Sequence, residues 1–349
     1  MKNINLSIIL CSLFLGYAHL SCSQQSRVGI VAFYNIENLY DTIDNKDVSD
    51  TEFTPESPKK WNSQRYWERI DRTAEVISKF GHHENIPGAA IVGLSEIENS
   101  GVLNDLVKAK PIRHLDYHIV QFDSPDRRGV DVALLYQPRY FKVTTAKAVP
   151  LYVYDNKTKE RIFTRDQLVV SGIFDGEPMH FIVNHWPARR GSGPPNGWLR
   201  NEAAKLARSL VDSIAKAEPN AKVIVMGDLN DDPTDESIRL YMKARDDRNR
   251  LSDDQMFNTM GAYFRRGVGS LAYQDKWNLF DQIIITQSFL ERKQTGYRFH
   301  SARVFNDSFL TEQQGRYKGY PKRTYVGNEY KGGYSDHFPV YIVLAKSVE

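Results

Sequence analysis

An α/β fold with one layered core is what this sequence predicts, and three features carry the expectation. Apolar runs such as Val223-Ile224-Val225-Met226 and Ala89 to Leu94 lack the alternation of a half-wet strand, so they read as strands buried on both faces. Between such runs, apolar residues recur at helical spacing, as in Leu199, Ala203, Leu206, Leu210 and Ile214. Neither an internal repeat nor a linker cuts the body in two, and 349 residues at 41% hydrophobic content suffice for a full core.

Taken in order, Arg27 to Phe33 alternates into a strand ending in Tyr34-Asn35-Ile36-Glu37-Asn38. Strand side chains repeat every two residues, so Asn35 and Glu37 should leave that strand on one face. Asp41 to Pro58 is acidic and broken by prolines and reads as a solvated loop; its Asp44, Asp47 and Asp50 lack the glycine and terminal glutamate of an EF-hand. Trp67, Ile70, Ala74 and Ile77 predict a helix packed on the core and ending near Gly81. The Ala89 strand runs into Ser95-Glu96-Ile97-Glu98-Asn99, followed by a short helix and a strand over Tyr117 to Phe122.

Arg127-Arg128-Gly129-Val130-Asp131 forms a basic turn feeding a strand from Val132 to Tyr136. Tyr140 to Tyr154 and Gln167 to Phe174 are further strands with a turn at Asp155-Asn156. Met179 to Val183 ends in Asn184-His185-Trp186-Pro187, beside Arg189, Arg190 and a Gly/Pro loop from Gly191 to Gly197. The longest helix follows, then Val223 to Met226 with Gly227-Asp228-Leu229-Asn230 at its end, the glycine allowing a turn. Asp246 to Ser270 is charged and glycine-rich and reads as a surface excursion. Leu279 to Ile285 is a strand with Asp281 near its start, Gly296 to Val304 another, and Ser335-Asp336-His337-Phe338-Pro339 opens the last strand, Val340 to Leu344.

Strands gathered into one core bring their polar ends together. Asn35, Glu96, Asp228, Asn230 and Asp336 form an all-oxygen set that suits a hard cation, Mg²⁺ or Mn²⁺, and no HExxH-type spacing points to zinc. His185 and His337 are candidate proton carriers near neutral pH. Phosphate ester hydrolysis asks for these parts: a cation for the developing charge, a base for water, and donors around the phosphate.

Composition removes other chemistries. Both cysteines, Cys11 and Cys22, lie at the N-terminus, so the body has no thiol for a disulfide, a thiolate metal site or covalent catalysis. Lys2 and the apolar run Leu6 to Ala18 follow the layout of a secretory signal peptide and are too short to span a bilayer. Residues 1–22 are thus expected to be a leader, with Cys22 after Leu20-Ser21 a possible lipid anchor despite His19, or cleavage after Ser23 as the alternative. With 46 Lys+Arg against 43 Asp+Glu there is no global field for a polyanion, so phosphate attraction must come from local pairs such as Arg127-Arg128, Arg189-Arg190 and Arg265-Arg266, which otherwise read as solvated surface.

The set Phe33-Tyr34-Asn35-Ile36-Glu37-Asn38, Leu94-Ser95-Glu96, Asn184-His185-Trp186-Pro187, Gly227-Asp228-Leu229-Asn230, Phe280-Asp281-Gln282 and Ser335-Asp336-His337-Phe338-Pro339 resembles, in order, the endonuclease/exonuclease/phosphatase superfamily with the DNase I-like fold. That resemblance implies a four-layered α/β/β/α sandwich over 27–346 with two packed mixed sheets; a monomer is expected, though the sequence itself is silent on oligomeric state. It implies that Glu96 binds a divalent metal with Asn35, Glu37 and Asp336 near it. It further implies that His337 is the general base or phosphate-polarising histidine, oriented by Asp281, and that Asp228 and Asn230 position water and the scissile phosphate. His185 would contact the phosphate or protonate the leaving oxygen, with Asp131 as a possible partner. Arg128, Arg189 and Arg190 gain a reading as phosphate contacts, and Tyr273 and Trp277 could stack on a base or belong to the core. The expected activity is an exported phosphodiesterase, a nuclease on DNA or RNA, with small-molecule or lipid-headgroup phosphate esters as the alternative substrates.

Overall fold

Strands buried on both faces need a layer on each side, and two sheets stacked between helices provide it. The computed structural model describes residues 26–189, 196–291 and 296–347. The leader with Cys11 and Cys22, and Arg190, therefore lie outside the described residues.

The strands are β1 (Ser26–Leu39), β2 (Ile91–Ile97), β3 (His118–Gln121), β4 (Asp131–Tyr136), β5 (Phe141–Val149), β6 (Gln167–Phe174), β7 (Glu177–His185), β8 (Val223–Asp228), β9 (Ala244–Arg245), β10 (Met256–Asn258), β11 (Asp281–Ile285), β12 (Arg298–Val304) and β13 (Val340–Ser347). The first sheet has six strands in the order β12-β13-β1-β2-β4-β3, and the second has seven in the order β9-β10-β11-β8-β7-β6-β5. Both are mixed. β1 runs parallel to β2 and antiparallel to β13, and β8 runs parallel to β7 and antiparallel to β11. Helices α1 (Ser63–Ser78) and α2 (Ser100–Lys108) accompany the first sheet, and α3 (Gly197–Ala217) the second.

The unalternating run in β8 has a simple cause. Ile224 and Met226 point into the core shared by the two sheets, while Val223 and Val225 pack outward with Ala203, Ala204, Ala207 and Val211 of α3. β7 divides likewise, Phe181 and Val183 inward and Ile182 outward. Gly227 is still paired within the sheet, to Asn184 and Gln282. A Cβ there would stand 2.3 Å from the Asn184 carbonyl oxygen. The glycine is thus required by close approach of β7, and the turn falls at Asn230, whose φ is 52°.

Three expectations need correction. Trp67 is 50% exposed, so of the helical set only Ile70, Ala74 and Ile77 are core. Asp246 to Ser270 is no simple surface excursion: β10 extends the second sheet, a short helix covers Gly261–Arg265, and Asn258, Thr259 and Met260 are buried. β1 does not carry Asn35 and Glu37 out on a regular strand face, because its pairing with β2 shifts after Asn35, and Glu37 and Asn38 have φ of 51° and 52°. Among the described residues no helix is long and apolar enough to cross a membrane.

Candidate functional site

Register puts the chemistry in one row. Asp228 pairs with His185 on one side and Asp281 on the other, so three polar side chains end adjacent strands of the second sheet. Asn35 of β1 and Glu96 of β2 end the central parallel pair of the first sheet, and His337 enters just before β13. The ends of the two sheets face each other, and Asn35 Nδ2 donates to Asp228 Oδ2 across the gap at 3.0 Å.

His337 is the most constrained group. Its Nδ1 lies 2.6 Å from Oδ2 of Asp281, a fully buried carboxylate. Its backbone N–H donates to Ser335 Oγ, and Ser335 Oγ donates to the Asn35 carbonyl. Burial works against charge on this imidazole, but Asp281, Asp336 and Asp228 overcome it and raise its pKa well above the ordinary value. His185 has the opposite character: burial, then Arg165, Arg128 and His337, hold its pKa well below the usual one. Its Nε2 is 3.6 Å from Asp228 Oδ2 and 3.8 Å from Glu96 Oε1, and its buried Nδ1 has no hydrogen-bond partner among the described residues. Asp131 is not that partner. Its carboxylate accepts from Ser124 and Gln121 instead.

Asp228 accepts from the Asn230 backbone N–H (3.0 Å) as well as from Asn35, and burial, reinforced by Asp281 and Glu96, pushes its pKa up to about 7. Asn230 donates one Nδ2–H to the Trp186 carbonyl at 3.0 Å, leaving its other N–H and its Oδ1 for a ligand. Glu96, with φ of 65°, accepts from the Asn38 N–H through Oε2, and its Oε1 is 3.8 Å from the Arg128 guanidinium. Glu37 accepts from the Thr324 N–H and faces Arg323; burial first and Asp336 second push its pKa up to about 7.

The expected metal set divides in two. Asn35 donates Nδ2–H to Asp228 and accepts from the Glu37 N–H at Oδ1, which leaves one Oδ1 lone pair for a ligand. Arg323 sits between Glu37 and Asp336, 2.9 Å from Asp336 Oδ2. Glu37, Glu96 and Asp336 are not gathered into a tight three-ligand cage among the described residues. An open carboxylate set still fits Mg²⁺, which keeps several waters and is commonly held by one or two carboxylates plus substrate phosphate. Glu96 is best placed: it lines a cavity, and its Oε1 has no hydrogen bond among the described residues.

Two cavities meet here. One, of about 350 Å³, is lined by Glu96, Arg128, Phe163, Arg165, His185 and Asp228; the other, of about 540 Å³, by Tyr273, Lys276, Phe280, Tyr320, Arg323 and Asp336. Asn230 and His337 line both. Arg128 lines the first cavity, its guanidinium 3.8 Å from Glu96 Oε1. Arg189 lines the second cavity, but its guanidinium is committed to Asp231, Asp232 and Asp235, to the Asn230 carbonyl, and to the face of Phe280, so it fixes the loop after β8. Trp277 stacks on core residue Phe338, while Tyr273 is on the cavity wall.

Sequence reasoning missed three arginines. Arg165, buried, donates to the His185 and Trp186 carbonyls and pairs with Asp126 at 2.9 Å. Arg69 of α1, also buried, donates to the carbonyls of Ile36 and Tyr334, tying together the loops that carry Glu37 and Asp336. Arg323 is the third. Each stands outside any motif, so no local signal marked it.

A family model described as "Endonuclease/Exonuclease/phosphatase family" matches residues 30–346. No curated protein matches the sequence. Among solved structures, an endonuclease/exonuclease/phosphatase family protein from Bacteroides thetaiotaomicron is similar at 16% identity, covering 93% of this chain and 98% of that one with a TM-score of 0.56. The B. thetaiotaomicron mannosyl-6-phosphatase Bt3783 is 15% identical over 90% and 99% of the two chains, TM-score 0.54. D. rerio TDP2 complexed with a single-strand DNA product is 14% identical over 91% and 98%, TM-score 0.52. At these identities the structures establish the shared fold, two mixed sheets in a four-layered α/β/β/α sandwich. With the family model spanning nearly all of the described chain, this protein belongs to the endonuclease/exonuclease/phosphatase family of phosphoester hydrolases.

Proposed function

We propose that this chain is an Mg²⁺-dependent phosphodiesterase that cuts nucleic acid. The observation that supports it most is the pair of cavities meeting at Asn230 and His337. A monoester has one organic group to bury, whereas a diester has one on each side of the phosphorus. A phosphate seated at the shared wall would place one ester arm beside Arg128 and Phe163 and the other beside Tyr273 and Tyr320, where aromatic faces can stack on bases.

Glu96, with Asp336 and Glu37 nearby, would hold the metal, which when bound would neutralise charge developing on the phosphoryl oxygens. His337, with Nδ1–H held by Asp281, presents Nε2–H to a non-bridging phosphate oxygen. Asp228, fixed at both oxygens and raised toward neutrality, takes a proton from the attacking water as the bond from phosphorus to one ester oxygen breaks, and that leaving oxygen takes a proton from solvent water. His185, kept neutral, directs Nε2 at the phosphate, and Asn230 donates to the same group. Arg128 steadies the first ester arm.

The near balance of 46 basic and 43 acidic residues favours a second reading, a small or lipid-headgroup phosphate ester, because long polyanions usually meet a basic groove. The test is hydrolysis of duplex DNA, single-stranded DNA, bis(p-nitrophenyl) phosphate and p-nitrophenyl phosphate with Mg²⁺. Cutting of the nucleic acids supports the nuclease, turnover of only the small diester moves the substrate class, and a preference for the monoester overturns the diester reading. We also propose that residues 1–22 direct export of a domain spanning 27–346, with lipid attachment at Cys22. The mature N-terminal mass, with and without Cys22→Ser, tests that assignment.

A further inference from the structure

Outside both cavities, the turn after α1 meets the loop ahead of β13. There His82 Nε2 lies 3.2 Å from Asp307 Oδ2, and His83 Nε2 lies 2.9 Å from Asp307 Oδ1. The three ligand atoms fall within 4.8 Å of one another, the one such group of His, Cys, Asp and Glu among the described residues. The two rings are tilted by 36° with centroids 3.9 Å apart, and both meet buried Phe305 edge-to-face.

We propose that His82, His83 and Asp307 bind a transition-metal dication of the Zn²⁺ class, independently of the phosphoester site. The hydrogen bonding at His82 carries the argument. Its Nδ1 is 2.7 Å from the Lys79 carbonyl oxygen, which can only accept, so Nδ1 carries the proton. In the neutral ring Nε2 is then a bare lone pair aimed at a carboxylate oxygen, which also offers only lone pairs. Either a proton on Nε2 or a metal ion between the two atoms resolves the contact.

A proton would make His82 a cation beside the His83 ring, whose centroid is 3.9 Å away, while neutral His83 donates its own Nε2–H to Asp307. A single dication instead takes all three lone pairs together. The fixed Nδ1–H to a backbone carbonyl is the outer partner that metal-bound histidines ordinarily have, and it sets the tautomer and ring angle in advance. A tetrahedron with ~2.0 Å arms has edges of about 3.3 Å; the histidines stand 3.2 and 2.9 Å from different oxygens of Asp307, and one atom from each of the three residues lies within 4.8 Å of the others, so small side-chain shifts would complete the site. All three side chains are partly exposed, so water can complete the shell. Two imidazoles and one carboxylate match Zn²⁺ and its neighbours in the first transition row, and do not match Mg²⁺ or Ca²⁺, which take oxygen. The bound ion would clip the α1 turn to the loop leading to β13.

The test is calorimetric titration of tag-free protein with Zn²⁺ in excess Mg²⁺, for the parent chain, His83→Ala and Asp307→Asn. One equivalent of Zn²⁺ is expected, with affinity falling by about tenfold or more in each variant. The melting temperature should rise with Zn²⁺ in the parent and not in the variants. Mg²⁺-supported phosphodiester hydrolysis should be the same in all three proteins. Zn²⁺ binding that both variants retain in full, or a parent that binds none under these conditions, overturns the site.

Discussion

Asp281→Asn tests the candidate centre most directly. Asp281 is fully buried, and its one hydrogen-bonded oxygen is 2.6 Å from His337 Nδ1. Asparagine is nearly isosteric, so the packing should survive and only charge and hydrogen-bond polarity change. If the new amide turns its NH₂ to the ring, His337 must accept at Nδ1 and loses its ion-pair partner. If it turns its oxygen, Nδ1–H is kept but the ion pair is lost. Either way His337 loses the carboxylate that does most to raise its pKa, with only Asp336 and Asp228 left to favour the charged ring. A positioned acid or base contributes roughly 10²–10⁴-fold, or about 3–5 kcal/mol of transition-state stabilisation. The assay is kcat and KM for a chromogenic phosphodiester at saturating Mg²⁺, with circular dichroism to show an intact fold. The fall should be in kcat. Asp281→Asn combined with His337→Ala should be no slower than His337→Ala alone, because the two residues act as one unit. Retention of kcat within about threefold of the parent would refute the reasoning, since one tenfold step is already only about 1.4 kcal/mol.

Three further outcomes follow from other parts of the site. EDTA should abolish phosphodiester hydrolysis and Mg²⁺ restore it, while Glu96→Gln should raise the Mg²⁺ concentration for half-maximal rate; an unchanged Mg²⁺ dependence would remove Glu96 from the metal site. Arg165→Met leaves Asp126 buried without its close partner and frees the His185 and Trp186 carbonyls, so denaturant unfolding should show a loss of about 3–5 kcal/mol. Burial pushes the Asp131 carboxyl up to about 7, so the native state holds a proton that the unfolded chain has released. Stability should therefore be lost as pH rises from the unfolded value near 4 through about 7, by at most about 4 kcal/mol. Asp131→Asn should remove that loss, and equal pH dependence in parent and variant between pH 5 and 8 would contradict the assignment.

Much of the fold was legible because burial writes itself into local sequence. The unalternating runs of β2, β8 and β11 marked strands covered on both faces, and Ile70, Ala74 and Ile77 marked the buried side of α1. Trp67 misled because helical spacing sorts residues into faces without saying where the covered face ends. β10 stayed hidden because Met256 to Asn258 is too short for a period and lies in a charged stretch. Of the site, His185, Asp228, Asn230, Asp281 and His337 were visible as polar residues ending apolar strands, and the structure brings all five together.

By itself the sequence determined which strand ends are polar, which residue types gather there, and hence the class of chemistry, because these depend only on local pattern and composition. The tertiary structure alone decided which partner each group has. It turned Arg189 onto three aspartates, gave Asp131 to Ser124 and Gln121, and brought Arg69, Arg165 and Arg323 in from distant segments. It also set His82 and His83 against Asp307. The physical reason is that a buried charge must find its counter-charge through space, and strand register and sheet packing choose that counter-charge from anywhere along the chain.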